Sequence, residues 1–314
     1  MVLMPYFNSQ WNWPSVMLAL LRDVSRAHRH RHSDDSLFWF FDGLKNDGLI
    51  VRSKLQIDRA LIERASQLKF VGRAGAGLDQ LDELALQEHN VSILNAPEGN
   101  RDALAEHALG MLLSLLNRIS LADQEIRKGV WDREGNRGVE LMGKTVGIIG
   151  YGYMGQAFAQ RLSGFGVTVL AYDKYKQDYG NAFAREATMS EVFEKADILS
   201  LHVPLTSETQ FLVDEPYLSQ FAKNIYLINT ARGKVIRLSS LTKALEHGKV
   251  RGAALDVLEN EKLQQLTPDQ QRSFDHLRQS ERVLFTPHVA GWTFESYEKI
   301  NQTLVRKIKA LNLT

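Results

Sequence analysis

Gly147-Ile148-Ile149-Gly150-Tyr151-Gly152-Tyr153-Met154-Gly155 decides how this chain folds. The run Val146-Gly147-Ile148-Ile149 is apolar enough for a strand buried on both faces, and it leads into a Gly-x-Gly-x-x-Gly turn. Gly150 allows the tight turn out of the strand. Gly152 lets a pyrophosphate come up against the backbone, and Gly155 lets the following helix pack close to the strand. Tyr153 and Met154 fall in the first turn of that helix, where unpaired N–H groups and the positive end of the helix dipole favour phosphate. Residues 157–162 continue the helical pattern, Val167-Thr168-Val169-Leu170 reads as the next strand, and Asp173 follows. A carboxylate about twenty residues past the glycines suits a ribose diol and repels a 2′-phosphate; this favours NAD over NADP, with Lys174 beside it acting the other way. A lone glycine motif can be a plain structural turn. Here strand, helix and carboxylate follow in order, which selects the dinucleotide reading.

The same alternation extends in both directions. Gly48-Leu49-Ile50-Val51, Leu68-Lys69-Phe70-Val71 and Val91-Ser92-Ile93-Leu94 read as buried strands upstream. Ile198-Leu199-Ser200-Leu201, Ile225-Tyr226-Leu227-Ile228, Ala253-Ala254-Leu255 and Val283-Leu284-Phe285 read so downstream. Continuous apolar strands separated by helices imply an α/β protein of parallel sheets covered on both faces, doubly wound through right-handed crossovers. Residues 101–119 carry Leu104, Ala108, Met111, Leu112, Leu115 and Leu116 at helical spacing. The last segment carries Tyr297, Ile300, Leu304, Ile308 and Leu311, with Thr293 as its N-cap. Both stripes are read as packing faces.

The composition, 44% apolar and 24% charged over 314 residues, is that of a globular protein with room for two domains. A formal net charge of +1 gives no electrostatic case for nucleic acid or a membrane surface as partner. The absence of cysteine excludes disulfides and thiolate chemistry and leans towards a reducing compartment. Val16-Met17-Leu18-Ala19-Leu20-Leu21 is too short for a signal core or a span, so a cytoplasmic protein is expected. Residues 1–46 hold Trp11, Trp13 and Trp39 and the alternating run Arg26-Ala27-His28-Arg29-His30-Arg31-His32. Alternating histidines suit a metal, but no carboxylate or thiol pattern completes a site, so a solvated basic loop and no metal are expected.

Three further segments put unusual polar residues at the ends of apolar strands, where open α/β sheets bind ligands. They are Asn229-Thr230-Ala231-Arg232-Gly233, Leu255-Asp256-Val257-Leu258-Glu259-Asn260-Glu261 and Thr286-Pro287-His288-Val289-Ala290-Gly291. Arginine binds a carboxylate through paired hydrogen bonds and polarises an adjacent carbonyl. Histidine moves a proton near neutral pH, and a neighbouring carboxylate raises its pKa and orients the ring. An anchor plus an acid–base pair suits hydride transfer at a carbon next to a carboxylate. Taken singly, an arginine after a strand is a surface charge and a histidine after proline a turn residue; their joint placement carries the argument.

At these residues the chain resembles the D-2-hydroxyacid dehydrogenase family, from Asp47 to Leu311. Further matching segments are Val71-Gly72-Arg73-Ala74-Gly75-Ala76-Gly77-Leu78-Asp79, Asn95-Ala96-Pro97-Glu98-Gly99-Asn100, Ala105-Glu106-His107 and Leu201-His202-Val203-Pro204. The resemblance implies that Arg232 binds the substrate carboxylate, that His288 is the acid–base and that Glu261 is its charge partner. It implies NAD contacts at His202, Pro204, Thr230, Ala231, Asp256 and Gly291 besides the glycine turn and Asp173. It also implies a Rossmann NAD-binding domain, residues 98–288, inserted into a flavodoxin-like substrate domain of residues 1–97 and 289–314. A homodimer joined through the cofactor domain is expected, with residues 101–119 and the segment through Trp131 at its interface.

Within the family, Val51-Arg52-Ser53-Lys54 and Gly72-Arg73-Ala74-Gly75 are similar to the phosphoglycerate dehydrogenase branch, as is Arg118. Arg52, Ser53, Arg73, Ala74 and Gly75 are the expected substrate contacts, and their charge suits the phosphate of a 2-hydroxy acid such as 3-phosphoglycerate. A glyoxylate or hydroxypyruvate reductase is the near alternative, and a non-catalytic NAD-sensing protein the distant one. Four features depart from the family pattern: Lys262 where proline is usual, the long polar stretch 263–282 with helical character over Pro268–Gln279, Trp292 in place of a small residue, and Glu98 in a loop that is usually neutral. The first strand and helix expected within residues 1–46 have no clear counterpart there.

Overall fold

The computed structural model describes residues 48–53 and 55–311; the expectations for residues 1–46 and for Lys54 lie outside them. The chain divides into two compact units, Met1–Ala96 with Leu304–Thr314, and Pro97–Thr303. The sequence reading drew these boundaries after residues 97 and 288. The second falls later because the first half of the closing helix packs on the second unit: a Cβ at Gly99 would lie 2.5 Å from the backbone nitrogen of Ile300.

In the first unit, β1 (Gly48–Val51), β2 (Phe70–Arg73) and β3 (Ser92–Asn95) form a parallel three-stranded sheet in that order. Two short helices connect them, α1 (Arg59–Arg64) and α2 (Glu83–Glu88). Asp58 and Asp82 cap these helices by accepting the N–H of Leu61 and Ala85. Leu49, Val51, Ile57, Ile62, Val71 and Leu86 form the core of this unit.

The second unit opens with α3 (Pro97–Leu116) and α4 (Ile119–Arg127), where one helix over residues 101–119 was expected. The break is at Arg118, whose φ of 54° cannot continue a right-handed helix. Then come β4 (Thr145–Ile149), α5 (Tyr153–Leu162), β5 (Thr168–Tyr172), β6 (Arg185–Glu186), α6 (Met189–Lys195) and β7 (Ile198–Leu201). They are followed by α7 (Glu215–Ser219), β8 (Ile225–Asn229), α8 (Leu238–Glu246), β9 (Val250–Leu255), α9 (Pro268–Gln279) and β10 (Val283–Phe285). The last helix is α10 (Phe294–Ala310). Thr293 caps it through a reciprocal pair with Ser296, each side-chain oxygen accepting the other's N–H.

The seven strands are all parallel, in the order β10-β9-β8-β7-β4-β5-β6. The order reverses between β4 and β7, as in dinucleotide-binding sheets. Apolar side chains fill both faces. Val146, Ile148, Phe158 and Leu112 lie in one layer, and Leu199, Leu227, Leu241 and Leu255 in the other.

Candidate active site

Five strands of the second sheet end in one row. Ile149 pairs with Leu201, Leu201 with Asn229, Asn229 with Leu255, and Leu255 with Phe285. The next residue on each strand is Gly150, His202, Thr230, Asp256 and Thr286. Register alone therefore sets the glycine turn, the expected cofactor contacts His202, Thr230 and Asp256, and the loops bearing Arg232, Glu261 and His288 side by side at the carboxyl edge.

The turn after β4 has the geometry its glycines suggest. Gly150 has a φ of +91°, and a Cβ there would fall 2.6 Å from the carbonyl oxygen of His202. At Gly155 it would fall 2.2 Å from the carbonyl oxygen of Gly150. At Gly152 it would meet nothing within 4 Å. The space above Gly152 is thus left open at the start of α5, where Tyr153 and Met154 present N–H groups with no intrahelical acceptor. Asp173 lies beside the turn: Oδ2 accepts the N–H of Tyr151 at 2.9 Å and Oδ1 that of Tyr175 at 3.1 Å. Glu98, one of the departures from the family pattern, accepts the Tyr153 hydroxyl at 3.4 Å.

Burial pushes His202 down to about 3, so its ring is neutral at physiological pH. Nε2 is 2.8 Å from Ser200 Oγ, while Nδ1 is buried without a partner, as is Thr230 Oγ1 on the neighbouring strand. Buried polar atoms of this kind call for an acceptor or donor from outside the chain. With the open face of Gly152 and the free end of α5, they fit a dinucleotide laid across the point where strand order reverses. Pro204 and Ala231 border this row; the Pro204 carbonyl accepts Thr209 Oγ1 at 2.6 Å.

The three candidate catalytic residues come from successive strand ends. Asn229 clamps the Arg232 loop, its Oδ1 accepting the N–H of Ala231 and its Nδ2 donating to the Arg232 carbonyl, both at 3.0 Å. Gly233 then runs so close to the next loop that a Cβ would lie 1.7 Å from the Leu258 carbonyl oxygen. Asp256, 1% exposed, takes the Thr286 hydroxyl (2.6 Å) and the N–H of Val289 (2.9 Å) on Oδ1, and the N–H of Ala290 (2.9 Å) on Oδ2. The N–H of His288 donates to the Asp256 carbonyl at 2.7 Å, and His288 has a φ of 56°. This loop turns the ring towards Glu261, whose Oε1 is 2.9 Å from Nδ1. The hydrogen bond to Glu261 raises the His288 pKa; burial opposes it, the Glu261 charge adds to it, Arg232 lowers it and Asp256 raises it. Glu261 is thus the immediate partner of the ring, and the charges of Arg232 and Asp256 also act on it.

The sequence reading assigned Asp256 to the cofactor and gave no task to Asn229, Glu259, Asn260 or Thr286. Their positions in the quoted segments were visible, but their partners were not: Asn229 and Asn260 close turns of their own loops, Glu259 reaches two helix starts, and Thr286 reaches Asp256. Gly291 lies where its carbonyl accepts Ser296 Oγ at 2.8 Å, at the start of α10. Arg118, which is similar to an arginine of the phosphoglycerate dehydrogenase branch, pairs with Glu281 at 3.0 Å. Trp292 stacks edge-on against Tyr297 and is 60% exposed.

In the first unit, Val51 is paired with Arg73, so Arg52 and Ser53 leave β1 beside the point where Ala74 and Gly75 leave β2. The N–H of Ala74 donates to the Val51 carbonyl at 2.8 Å, and Gln80 Nε2 holds the Arg52 carbonyl at 2.8 Å. The five residues expected to contact substrate are thus neighbours at one sheet edge.

Sheet order, glycine turn and edge row together define a Rossmann-type dinucleotide-binding protein. Residues 109–290 match the D-isomer specific 2-hydroxyacid dehydrogenase NAD binding domain, and the chain belongs to that family. It is 35% identical over 266 residues to the D-3-phosphoglycerate dehydrogenase of Methanocaldococcus jannaschii, covering 84% of this chain and 49% of that one. It is 33% identical to the hydroxypyruvate reductase of Thermotoga maritima, covering 83% of each. The D-lactate dehydrogenase of Aquifex aeolicus, solved with NAD and lactic acid, superposes with a TM-score of 0.75 at 29% identity, over 85% of this chain and 83% of that one. The chain spans about half the length of the phosphoglycerate dehydrogenases it matches.

Proposed function

We propose that this protein interconverts a 2-hydroxy acid and the corresponding 2-oxo acid with NAD(H). The observation that carries this reading is the 2.9 Å contact between Glu261 and His288, in the edge row that also holds the glycine turn and the Arg232 loop. Bound NADH would supply the hydride on reduction, and bound NAD would accept it on oxidation. Arg232 would hold the substrate carboxylate through paired hydrogen bonds and polarise the 2-oxo oxygen. His288 works through Nε2, the nitrogen turned from Glu261. The protonated ring gives a proton to the oxo oxygen on reduction, and the neutral ring takes the hydroxyl proton on oxidation. Replacing His288 by Ala is expected to lower turnover by about two to four orders of magnitude while NADH still binds. Unchanged turnover would refute the acid–base role.

For the substrate, Arg52 and Arg73 on adjacent strand ends favour a phosphorylated acid such as 3-phosphoglycerate, with Ser53, Ala74 and Gly75 completing the contacts. A hydroxypyruvate or glyoxylate reductase is the second reading, favoured by the Thermotoga relative that this chain matches over most of its length. A panel of 2-oxo acids with NADH, followed by absorbance, separates them; equal activity on phosphorylated and plain acids would sink the phosphate preference.

A cytoplasmic homodimer fits this reading. Among the described residues, no helix is long and apolar enough to cross a membrane. Ile119, Ile126, Val130 and Trp131 leave an exposed apolar group on and after α4, with Trp131 at 84% exposure. Light scattering that gives a monomer at micromolar concentration would exclude the dimer.

A further inference from the structure

Glu261 sits at the centre of a turn closed by a side chain. Asn260 Oδ1 accepts the N–H of Lys262 at 3.0 Å, which loops the backbone around Glu261 in an Asx turn. The amide of the same side chain donates to the Gln265 carbonyl at 3.0 Å and to Gln270 Oε1 at 3.3 Å. Gln270 is itself fixed. It is the third residue of α9 and completes a capping box with Thr267, accepting the Thr267 N–H at 3.1 Å. Its Nε2 donates to Glu259 Oε1 at 3.0 Å, and the other oxygen of Glu259 accepts the N–H of Leu238 at the start of α8, also at 3.0 Å.

Two departures from the family pattern find their use here. A proline at 262 has no N–H and could not close this turn. The long stretch 263–282 supplies α9, and through Gln270 the partner that keeps Asn260 in place. We propose that Asn260, braced by Gln270, is the positioning residue that sets the Glu261 carboxylate against His288. This rests on the acid–base reading of His288 and Glu261 given above.

The consequence is a definite electrostatic one. The charged groups facing the His288 ring are Glu261 from the loop after β9, Asp256 from the end of β9 and Arg232 from the loop after β8. Glu261 contributes most, through a hydrogen bond that requires it to be held in place. Without the Asn260 turn, Glu261 spends less time on Nδ1, while Arg232 continues to disfavour the protonated ring.

The test follows the His288 ring directly, by NMR titration of isotope-labelled full-length protein, with the pH profile of reduction measured in parallel. In Asn260→Ala the midpoint should fall by about half a pH unit or more, a loss of about threefold in the protonated fraction above the midpoint. Asn260→Ser, whose hydroxyl can close the same turn more weakly, should lie between Ala and wild type. Leu277→Val loosens α9 at its buried face without touching Asn260, and should leave the midpoint where it is. An unmoved midpoint in Asn260→Ala, or an equal shift in Leu277→Val, overturns the inference. The proposed acid–base role is judged separately, by the turnover of the His288 variant. That role can fail while the ring titration still decides whether Asn260 positions Glu261.

Discussion

Glu261 places a carboxylate oxygen 2.9 Å from Nδ1 of His288, and that contact is the largest cause of the raised pKa of the ring. A raised value extends the protonated form to higher pH than the ordinary 6.5. On the proposed mechanism reduction draws its proton from the protonated ring, so kcat/KM for reduction should hold at low pH and fall as pH rises through the His288 pKa. Oxidation needs the neutral ring and should rise over the same interval. Glu261→Gln keeps the shape and removes the charge. Both limbs should then move to lower pH, with turnover reduced by about a hundredfold. Limbs that stay at the wild-type midpoint would show that Glu261 does not set it.

Asp256 gives a prediction that separates support from chemistry. Its buried carboxylate accepts three hydrogen bonds from the loop that carries His288. In Asp256→Asn one acceptor becomes an NH2 group that must face an N–H or hydroxyl donor. An unmet buried donor costs about 1–3 kcal/mol, so urea unfolding should show a loss of that size. Turnover should fall as well, because the backbone of His288 is held from the same residue. A variant as stable as wild type would mean that the loop is held by something else.

The parts legible in sequence are those set by local pattern. β1, β7 and β10 begin and end where the apolar runs do, and α9 spans the helical residues read between Pro268 and Gln279. The glycine turn was readable because each glycine answers a local steric demand. β6 was not, since two residues, Arg185 and Glu186, carry no periodicity and become a strand by pairing with Leu170 and Ala171. Nor was the break at Arg118, a left-handed residue in a segment whose apolar spacing continues through it. At the site, Arg232, Glu261 and His288 stood out as charged residues after apolar strands. The loop-holding bonds of Asp256 and the turn at Asn260 were not legible, because they depend on partners contributed by distant segments or on a turn that sequence spacing does not specify.

The glycines of the turn should separate folding from cofactor binding. A methyl group at Gly152 meets no atom within 4 Å, whereas one at Gly155 meets the Gly150 carbonyl at 2.2 Å. Gly152→Ala should leave the melting temperature of the protein without cofactor nearly unchanged and weaken NADH binding by about tenfold or more, since the methyl occupies the pyrophosphate approach. Gly155→Ala should instead destabilise the fold by about 1–3 kcal/mol, the range for overpacking a close contact. Binding titration and thermal unfolding of both variants check this. A Gly152→Ala protein that binds NADH normally would remove the pyrophosphate from this turn.

Cofactor choice is predicted to depend on an ion pair that begins next to Asp173. Lys174, the charge that could welcome a 2′-phosphate, has its Nζ 2.7 Å from Glu208 Oε2, and the Tyr175 hydroxyl donates to the same oxygen at 2.7 Å. These two partners hold the Glu208 carboxyl below the usual range. The pair is exposed and contributes little to folding. Its effect should therefore appear in ligand selection. Glu208→Gln releases Lys174 while Asp173 still disfavours the phosphate, so the gain should be partial. Adenosine 2′,5′-bisphosphate is expected to bind about three- to fivefold more tightly, with the affinity for 5′-AMP and the melting temperature unchanged. Because the gain is an attraction between exposed charges, it should fade as salt is raised past about 0.15 M. Calorimetry with the two nucleotides at two ionic strengths measures both effects. Equal affinity for the bisphosphate in wild type and variant would show that Glu208 does not restrain Lys174 from the ribose, and would leave Asp173 as the sole source of discrimination.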